Sequence, residues 1–379
     1  MHRLAAAAVV ALLPAATPAL DLTVGSGAAR DCRPASGGVS FDAAAIAFVE
    51  PGPVTSIDAY GGGRYSPASR NDIAVGIGFG EVAADVAGYC IGAQYRADYF
   101  AVASRDLLDA VVENHFSRPF DAGRTYQLRL DDTTLRASGA RLRHVFELTP
   151  VGDWSARLGV GSSVLKGLAG RQESIAGAAT ATSGQYAVGT ATWLKTDTSY
   201  NLADFNPFVA PGPVGGYGFS TDLELIGESR NGVAIDFVVR DALGRLYWHD
   251  VPRSLQTLNN AAIRYNADFN RYAFVNGIDS RVSFTQDLPA VYHLSLTVPT
   301  AARLSLVVED DLIRGFHFPS VAARYGANAR YTELSYDIRT RAVGVGARAA
   351  FLGAFVTINS LQPQRATVLG VSLQATHAW

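Results

Sequence analysis

Apolar side chains recur at every second position through most of this chain. Residues 89–99 are one example, in which Tyr89, Ile91 and Tyr95 alternate with Gln94 and Arg96. Strict alternation is typical of a β-strand with one apolar and one polar face. Comparable runs, separated by Gly, Pro, Asn and Asp, continue from residue 39 to the C-terminus. The pattern predicts an antiparallel meander whose neighbouring strands are joined by tight turns.

The final strand resembles the closing strand of a bacterial outer-membrane β-barrel. Leu369, Val371 and Leu373 alternate with small or polar residues, and the chain stops at Trp379. In such barrels a terminal aromatic residue lies in an interfacial girdle. The resemblance implies that Trp379 acts as the barrel-assembly signal and that the barrel-assembly machinery is a partner.

The composition favours a membrane barrel over a soluble β-sandwich. Hydrophobic residues make up 48% of the chain and charged residues 17%, whereas about a quarter of an average soluble protein is charged. The polar faces of the runs are rich in Gly, Ser, Ala and Thr, and many runs carry aromatic residues near their ends, as interfacial girdles require. We therefore expect an all-β fold, a transmembrane antiparallel up-and-down barrel of about 14 strands. Twelve and sixteen strands stay open.

The N-terminal segment predicts export. A short apolar run, Leu4 to Leu13, precedes a small-residue cleavage-like site, so we interpret residues 1–19 as a signal peptide. Residues 20–38 lack alternation and form a plug or a periplasmic segment, and residues 39–379 form the barrel. A capped apolar stripe predicts a short helix over 104–116 in one connection. The expected location is the outer membrane of a Gram-negative bacterium.

The charge limits the classes of partner that are expected, and the cysteines raise the question of a disulfide. With a net charge of −2 and a pI near 6.4, the chain does not show the excess of positive charge that is typical of nucleic-acid-binding proteins. Outer-membrane lipid and lipopolysaccharide are expected partners, and a protein partner at the loops is a further possibility. Cys32 and Cys90 are the two cysteines, and a disulfide between them stays open because the sequence gives no distance.

One segment resembles a known group of barrels. Gly215 to Leu223 reads GGYGFSTDL, and Arg240 to Trp248 reads RDALGRLYW. A glycine-aromatic strand ending in Asp-Leu, followed by a hairpin partner with Asp-x-x-Gly and a Trp, is similar to outer-membrane proteins related to the long-chain fatty-acid transporter family. It is also similar to barrels that accompany conjugation or secretion systems. The resemblance implies the barrel fold and gives no ligand pocket to carry over.

Catalytic and metal-binding signatures are absent from the sequence. We find no Gly-x-Ser-x-Gly, His-Glu-x-x-His, phosphate-binding loop or Cys-x-x-Cys, so no metal, no cofactor and no enzyme activity is expected. Two acidic clusters, Asp131-Asp132 and Glu309-Asp310-Asp311, end predicted strands. A pair of Asp311 with His317 would be the starting point for a hydrolase. Solvated strand ends are the simpler interpretation.

The lumen is where a transport function would lie. If the bulkier face of each strand meets lipid, the opposite face supplies charged lumen-lining candidates. These are Arg96, Arg129, Arg141, Arg143, Arg157, Asp222, Glu224, Asp236, Arg240 and Arg303. Mixed signs suit either a polar passage or a barrel filled with salt bridges. We expect a barrel that gives passage to small or hydrophobic solutes; the alternatives are a filled structural barrel serving a secretion or assembly system, and an outer-membrane hydrolase.

Overall fold

The computed structural model describes residues 38–49, 73–86, 88–115, 120–183, 186–198, 214–265, 271–327, 330–349, 351–362 and 366–378. These residues form strands and one short helix, α1 (Arg105–His115). The strands are β1 (Gly38–Val49), β2 (Ile73–Val86), β3 (Tyr89–Ala103), β4 (Thr125–Val151), β5 (Trp154–Ser183), β6 (Tyr186–Asp197), β7 (Gly215–Ser229), β8 (Ala234–Tyr265), β9 (Arg271–Asp287), β10 (Val291–Ala301), β11 (Leu304–Ile313), β12 (Phe316–Ala327), β13 (Arg330–Asp337), β14 (Val343–Arg348), β15 (Leu352–Ile358) and β16 (Val368–Ala378).

Fourteen strand positions close into an antiparallel barrel. The ring runs from β1 to β5, then through β7, β8 and β10 to β16. It closes where β1 pairs with β16, from Gly38 opposite Ala378 to Phe48 opposite Val368. The first and last strands therefore leave no free edge, and the predicted barrel of about 14 strands is confirmed.

The remaining strands, β6 and β9, extend one side of the wall. The strand β5 pairs with β7 along its first half and with β6 along its second half. In the same way, β8 pairs with β10 near its start and with β9 further on. We call this side of the molecule the extended end. The opposite side, with short connections such as 152–153 and 302–303, is the tight-turn end.

The outside of the barrel is an apolar belt between aromatic residues. Along β3, outward positions run from Tyr89 through the exposed Ile91 and Tyr95 to Tyr99. Ten residues cover roughly 33 Å along a strand, and a tilt of about 40° reduces this to the roughly 25 Å of an outer-membrane apolar band. No helix among the described residues is long and apolar enough to cross a bilayer.

On two strands the bulky apolar face points inward, contrary to the assumption that it meets lipid. In β2 the side chains of Ile73, Val75 and Ile77 are almost fully buried, and the small residues Ala74 and Gly76 occupy the outward positions between them. Phe48 in β1 is buried in the same way. The reason is that these side chains pack with apolar residues from the opposite wall, so the interior of the barrel is itself partly apolar.

The predicted helix over 104–116 is present as α1. The Ser104 hydroxyl caps it, because its Oγ accepts a hydrogen bond from the Leu107 N–H at 3.3 Å. The Arg124 guanidinium bonds Asp106 and Asp109 at 2.7 Å each and so ties the helix to the start of β4.

Several predictions concern residues outside the described part of the chain. These are the signal peptide 1–19, the segment 20–37, Cys32 and Trp379. Cys90 is buried and disulfide-bonded. Its pairing with Cys32 stays a prediction.

Candidate functional site in the barrel lumen

An apolar cluster occupies the lumen toward the extended end. It draws side chains from strands on opposite walls, and we call it the lumen apolar cluster. Its buried members are Ala44, Ile46, Phe48, Ile73, Val75, Ile77, Phe79, Phe100, Val291, Ile313, Phe318, Ala342 and Val368, with Val102 and Phe316 packed against them. Porin-type lumens are polar, so an interior of this kind is adapted to something other than water.

Phe48 and Phe318 show that this cluster spans the lumen. Phe48 lies on β1 and Phe318 on β12, with β13 to β16 between them in the ring. Their rings meet edge to face with centroids 5.5 Å apart. The two walls therefore touch at this level.

A second layer of the lumen is charged. Arg96 on β3 bonds both carboxylate oxygens of Asp241 on β8, at 2.8 and 2.7 Å. Arg240 on β8 reaches back to Asp98 on β3 at 2.9 Å, and Arg96 Nε bonds Asp98 at 2.7 Å. These four side chains are all buried. Three strands separate β3 from β8 in the ring, so the ion pairs cross the lumen.

The charged layer continues along the wall formed by β2, β4 and β7. Arg141 bonds Glu81 at 3.1 Å and also bonds Asp222, while Arg143 bonds Glu81 at 3.0 Å. Asp222 accepts a further hydrogen bond from the backbone N–H of Asp241 at 2.8 Å. These contacts join both groups of ion pairs, and we call the eight side chains Glu81, Arg96, Asp98, Arg141, Arg143, Asp222, Arg240 and Asp241 the lumen ion-pair network.

A bulge in β8 places two consecutive charges in this network. Asp241 has a φ of 56°, in the left-handed region, and the register between β7 and β8 shifts at the same level. Alternation would send Arg240 and Asp241 to opposite faces. The bulge breaks that rule, so both side chains point into the lumen.

The structure brings together seven of the ten predicted lumen-lining residues. The buried ones are Arg96, Arg141, Arg143, Asp222, Glu224, Asp236 and Arg240. Arg129, on β4, is exposed and lies past the point where the pairing of β4 with β3 ends. Arg157 pairs with Glu228 at 3.2 Å near the tight-turn end, and Arg303 is exposed in a turn. The last two lie outside the lumen network because they sit at strand ends, where alternation no longer selects a face.

The sequence interpretation missed three of the network's four acids, Glu81, Asp98 and Asp241. Glu81 lies in a strand that is otherwise made of Gly, Ala, Val, Ile and Phe except for Asp85 near its end, and Asp241 falls in a bulge that has no reliable sequence signal. The sequence does hold a clue, because Glu81 is an even number of residues away from Ile77 and Phe79 in the same strand. It shares a face with Ile77 and Phe79, which shows that this face turns inward.

Arg314 reaches across the lumen to the opposite wall. It lies with Gly315 in the turn between β11 and β12, and both have positive φ, 49° and 84°. Its guanidinium bonds Asp131 on β4 at 3.2 Å and the Thr133 hydroxyl at 3.3 Å. It also lies 5.8 Å from the ring centroid of Phe100. This strap covers the lumen apolar cluster.

The predicted pair of Asp311 with His317, the starting point for a hydrolase, is wrong, because each residue has a different partner. Asp311 faces the lumen and contacts His293 Nδ1 at 2.8 Å, and both side chains are buried. His317 faces outward and contacts Asp310 at 2.7 Å. His317 pairs with Asp310 instead of Asp311 because Asp310 and Asp311 are adjacent in a strand and must point to opposite faces.

A second group of apolar side chains lies inside the wall at the extended end. Trp248 is buried there, and its indole N–H donates to Gln286 at 2.8 Å. Gly167, Gly170 and Gly216 leave room for the ring, because a Cβ at any of them would lie 2.5 Å from it. Within the described residues no group of three or more His, Cys, Asp or Glu side chains is arranged to hold a metal ion.

No protein-family model and no curated protein matches the chain. Among solved structures, it is similar to a deletion mutant of the monoaromatic hydrocarbon channel TodX, with 10% identity, 93% of this chain and 92% of that chain covered, and a TM-score of 0.47. A FadL homologue from Pseudomonas aeruginosa has 12% identity, 96% and 99% coverage and a TM-score of 0.36. The toluene transporter TodX from Pseudomonas putida has 10% identity, 96% and 93% coverage and a TM-score of 0.36.

Proposed function

We propose that this protein is a non-enzymatic barrel of the Gram-negative outer membrane that gives passage to small hydrophobic solutes. The observation that carries the proposal is the lumen apolar cluster. Apolar side chains such as Ile73 and Phe318 are expensive to expose to water, at about 25 cal/mol per Å². In a water-filled pore they would have no role, whereas an apolar solute can replace their mutual contacts with equivalent ones.

The lumen ion-pair network supports selectivity against polar solutes. Its arginines are almost completely shielded from solvent, with Arg143 at 0% and Arg96 at 4% exposure. An open aqueous pore would leave such groups hydrated. The network therefore blocks steady flow of water and ions until the walls rearrange.

The apolar belt supports the location. Exposed aliphatic and aromatic side chains such as Leu142, Phe219 and Leu294 face outward, while Arg141, Arg143 and Asp222 on the same wall face inward. An apolar exterior around a charged interior is favourable only when lipid surrounds the barrel.

Uptake by vesicles tests the function. Purified protein in phospholipid vesicles is expected to admit an aromatic hydrocarbon faster than protein-free vesicles do, and to leave sucrose excluded. Phe48→Asn with Phe318→Asn should reduce the preference for hydrocarbon over sucrose, because the variant loses both the apolar lining and the contact between the walls, while Phe146→Leu on the outward face serves as the matched control. Sucrose entry as fast as hydrocarbon entry would contradict the proposal.

A filled structural barrel is the second candidate, favoured by the cross-lumen contacts. Phe48 with Phe318, and Arg96 with Asp241, join opposite walls. A barrel of this kind would bind other proteins at its extended end and conduct nothing. Absence of solute uptake together with no conductance in planar bilayers would favour this candidate.

A further inference from the structure

Two cations lie close together on the outward surface, toward the extended end. Arg136 on β4 and Lys166 on β5 are both exposed. Lys166 lies opposite Ser138, and Arg136 is two residues further along the same face of β4. The register shifts between them, where β5 has the extra residue Leu168, so the cations are diagonal neighbours across a bulge, and their long side chains can reach a single ligand.

Their outward direction follows from the strand register. Arg136 pairs with Ala97 and Ser138 pairs with Tyr95, and both partners lie on the lipid-facing side of β3. Lys166 pairs with Tyr217 on β7, which is 59% exposed. Cross-strand partners project from the same face of a sheet, so both cations point away from the lumen.

A row of aromatic residues lies at the level of the cations, because Lys166 pairs with Tyr217 and Tyr217 pairs with Tyr247. Tyr217 packs near Tyr247, with ring centroids 5.7 Å apart, and stacks on His249 at 5.5 Å. Tyr95 is exposed at the same level on β3. Aromatic residues of this kind mark the level of lipid headgroups.

Neither cation has an acidic partner among the described residues. The acids further along this face are already engaged, since Arg171 bonds Asp132 and approaches Glu173. Elsewhere toward the extended end, the exposed Arg245 is paired with Asp287 at 2.7 Å. Lys166 is one of only two lysines in the chain. A pair of unneutralised cations at headgroup level has charge complementary to a phosphate.

We propose that Arg136 and Lys166 bind the phosphate groups of lipopolysaccharide. The inference rests on the outer-membrane location proposed above. In outer-membrane barrels the longer connections face the exterior, which places the extended end and this pair in the outer leaflet. The guanidinium and the ammonium would bind phosphate oxygens of lipid A, while Tyr95, Tyr217 and Tyr247 contact the sugar–acyl boundary.

The test compares lipid A carrying its phosphates with enzymatically dephosphorylated lipid A. The full-length protein in lipid nanodiscs is titrated with each, and binding is measured by native mass spectrometry. Each cation near an anionic lipid surface contributes about 1 kcal/mol, so R136Q/K166Q should bind phosphorylated lipid A about thirtyfold more weakly than the wild type. Dephosphorylated lipid A should bind both proteins equally weakly.

The matched control is R303Q/R330Q, which removes two exposed cations at the tight-turn end and should leave binding unchanged. Heat-modifiable migration on gels verifies that every variant folds. K166R should retain binding, since it keeps the charge. Equal affinity of the wild type and R136Q/K166Q for phosphorylated lipid A would overturn the site. Failure of the wild type to enter a bilayer at all would instead overturn the location.

Discussion

Phe48 on β1 and Phe318 on β12 meet edge to face inside the barrel, with their ring planes at 85°. Such pairs contribute about 0.5–1.5 kcal/mol beyond the area they bury. Because the two strands belong to opposite walls, this contact measures how firmly the lumen is closed.

Replacing both rings should therefore weaken the closure. Phe48→Ala and Phe318→Ala are each expected to lower the free energy of unfolding by about 3–5 kcal/mol, as for other buried phenylalanines. The double variant should lose less than the sum of the two, with a coupling of about 1 kcal/mol. Urea titration of the refolded protein in detergent measures all three. Strict additivity would show that the rings do not touch.

The lumen ion-pair network gives a second prediction. Asp241→Asn leaves Arg96 and Arg240 to share the carboxylate of Asp98 in a buried site, and breaking a buried pair costs about 3–5 kcal/mol. The stability loss should be accompanied by larger conductance in planar bilayers, because the bonds between β3 and β8 are weakened.

An exposed ion pair is the control for that experiment. Arg230 and Asp153 lie 3.2 Å apart with side chains 82% and 72% exposed. Asp153→Asn should cost at most about 1 kcal/mol and leave conductance unchanged. Equal effects of Asp241→Asn and Asp153→Asn would mean that the lumen network is solvated.

The strap formed by Arg314 gives a third prediction. Its ion pair with Asp131 is partly exposed, at 23% and 51%, so salt should screen it. Arg314→Gln is expected to speed entry of an apolar fluorescent solute, and raising the salt concentration should do the same in the wild type but not in the variant. The exchange of charges in Arg314→Asp with Asp131→Arg should restore slow entry. Arg303→Gln, in a turn at the opposite end, should have no effect.

Alternation predicted the barrel because lipid and lumen impose opposite preferences on successive residues. It assigned Tyr89 and Ile91 to the outside correctly. It failed at Ile73 and Phe48, where both faces are apolar and only packing across the lumen decides which one turns inward. Sequence periodicity carries no information about contacts between β1 and β12.

The ion-pair network was predictable in part for a related reason. Arg141 and Arg143 lie in a regular strand, so their parity places them in the lumen. Asp241 depends on a bulge, and its partner Arg96 is 145 residues away. The alternating pattern identifies which charges point inward, but the pairing between them follows from the closure of the ring.

The glycines around Trp248 give a fourth prediction. In Gly216→Ala the new Cβ would lie 2.5 Å from the buried indole ring, which must shift. The hydrogen bond to Gln286 should break, and tryptophan fluorescence should move toward longer wavelength. Gly215→Ala is the matched control, because no atom lies within 4 Å of a Cβ there. Identical spectra for the two variants would contradict the packing described for Trp248.

The docking of α1 gives a prediction about pH. Burial acts to raise the pKa of Asp106, but hydrogen bonds from the Gln127 N–H and the Arg124 guanidinium outweigh it, so the pKa is lowered. A carboxyl whose pKa is lower in the folded state stabilises that state above its unfolded pKa of about 3.9 and loses the effect as pH falls through the folded value. Hydrogen-exchange protection of residues 105–110 should therefore stay constant from neutral pH to about 4 and decrease below it. Asp106→Asn should reduce protection already at neutral pH, whereas Asp121→Asn, which removes only the 3.4 Å contact with Arg124, should not. Protection that is insensitive to both acid and Asp106→Asn would show that the helix is held by other contacts.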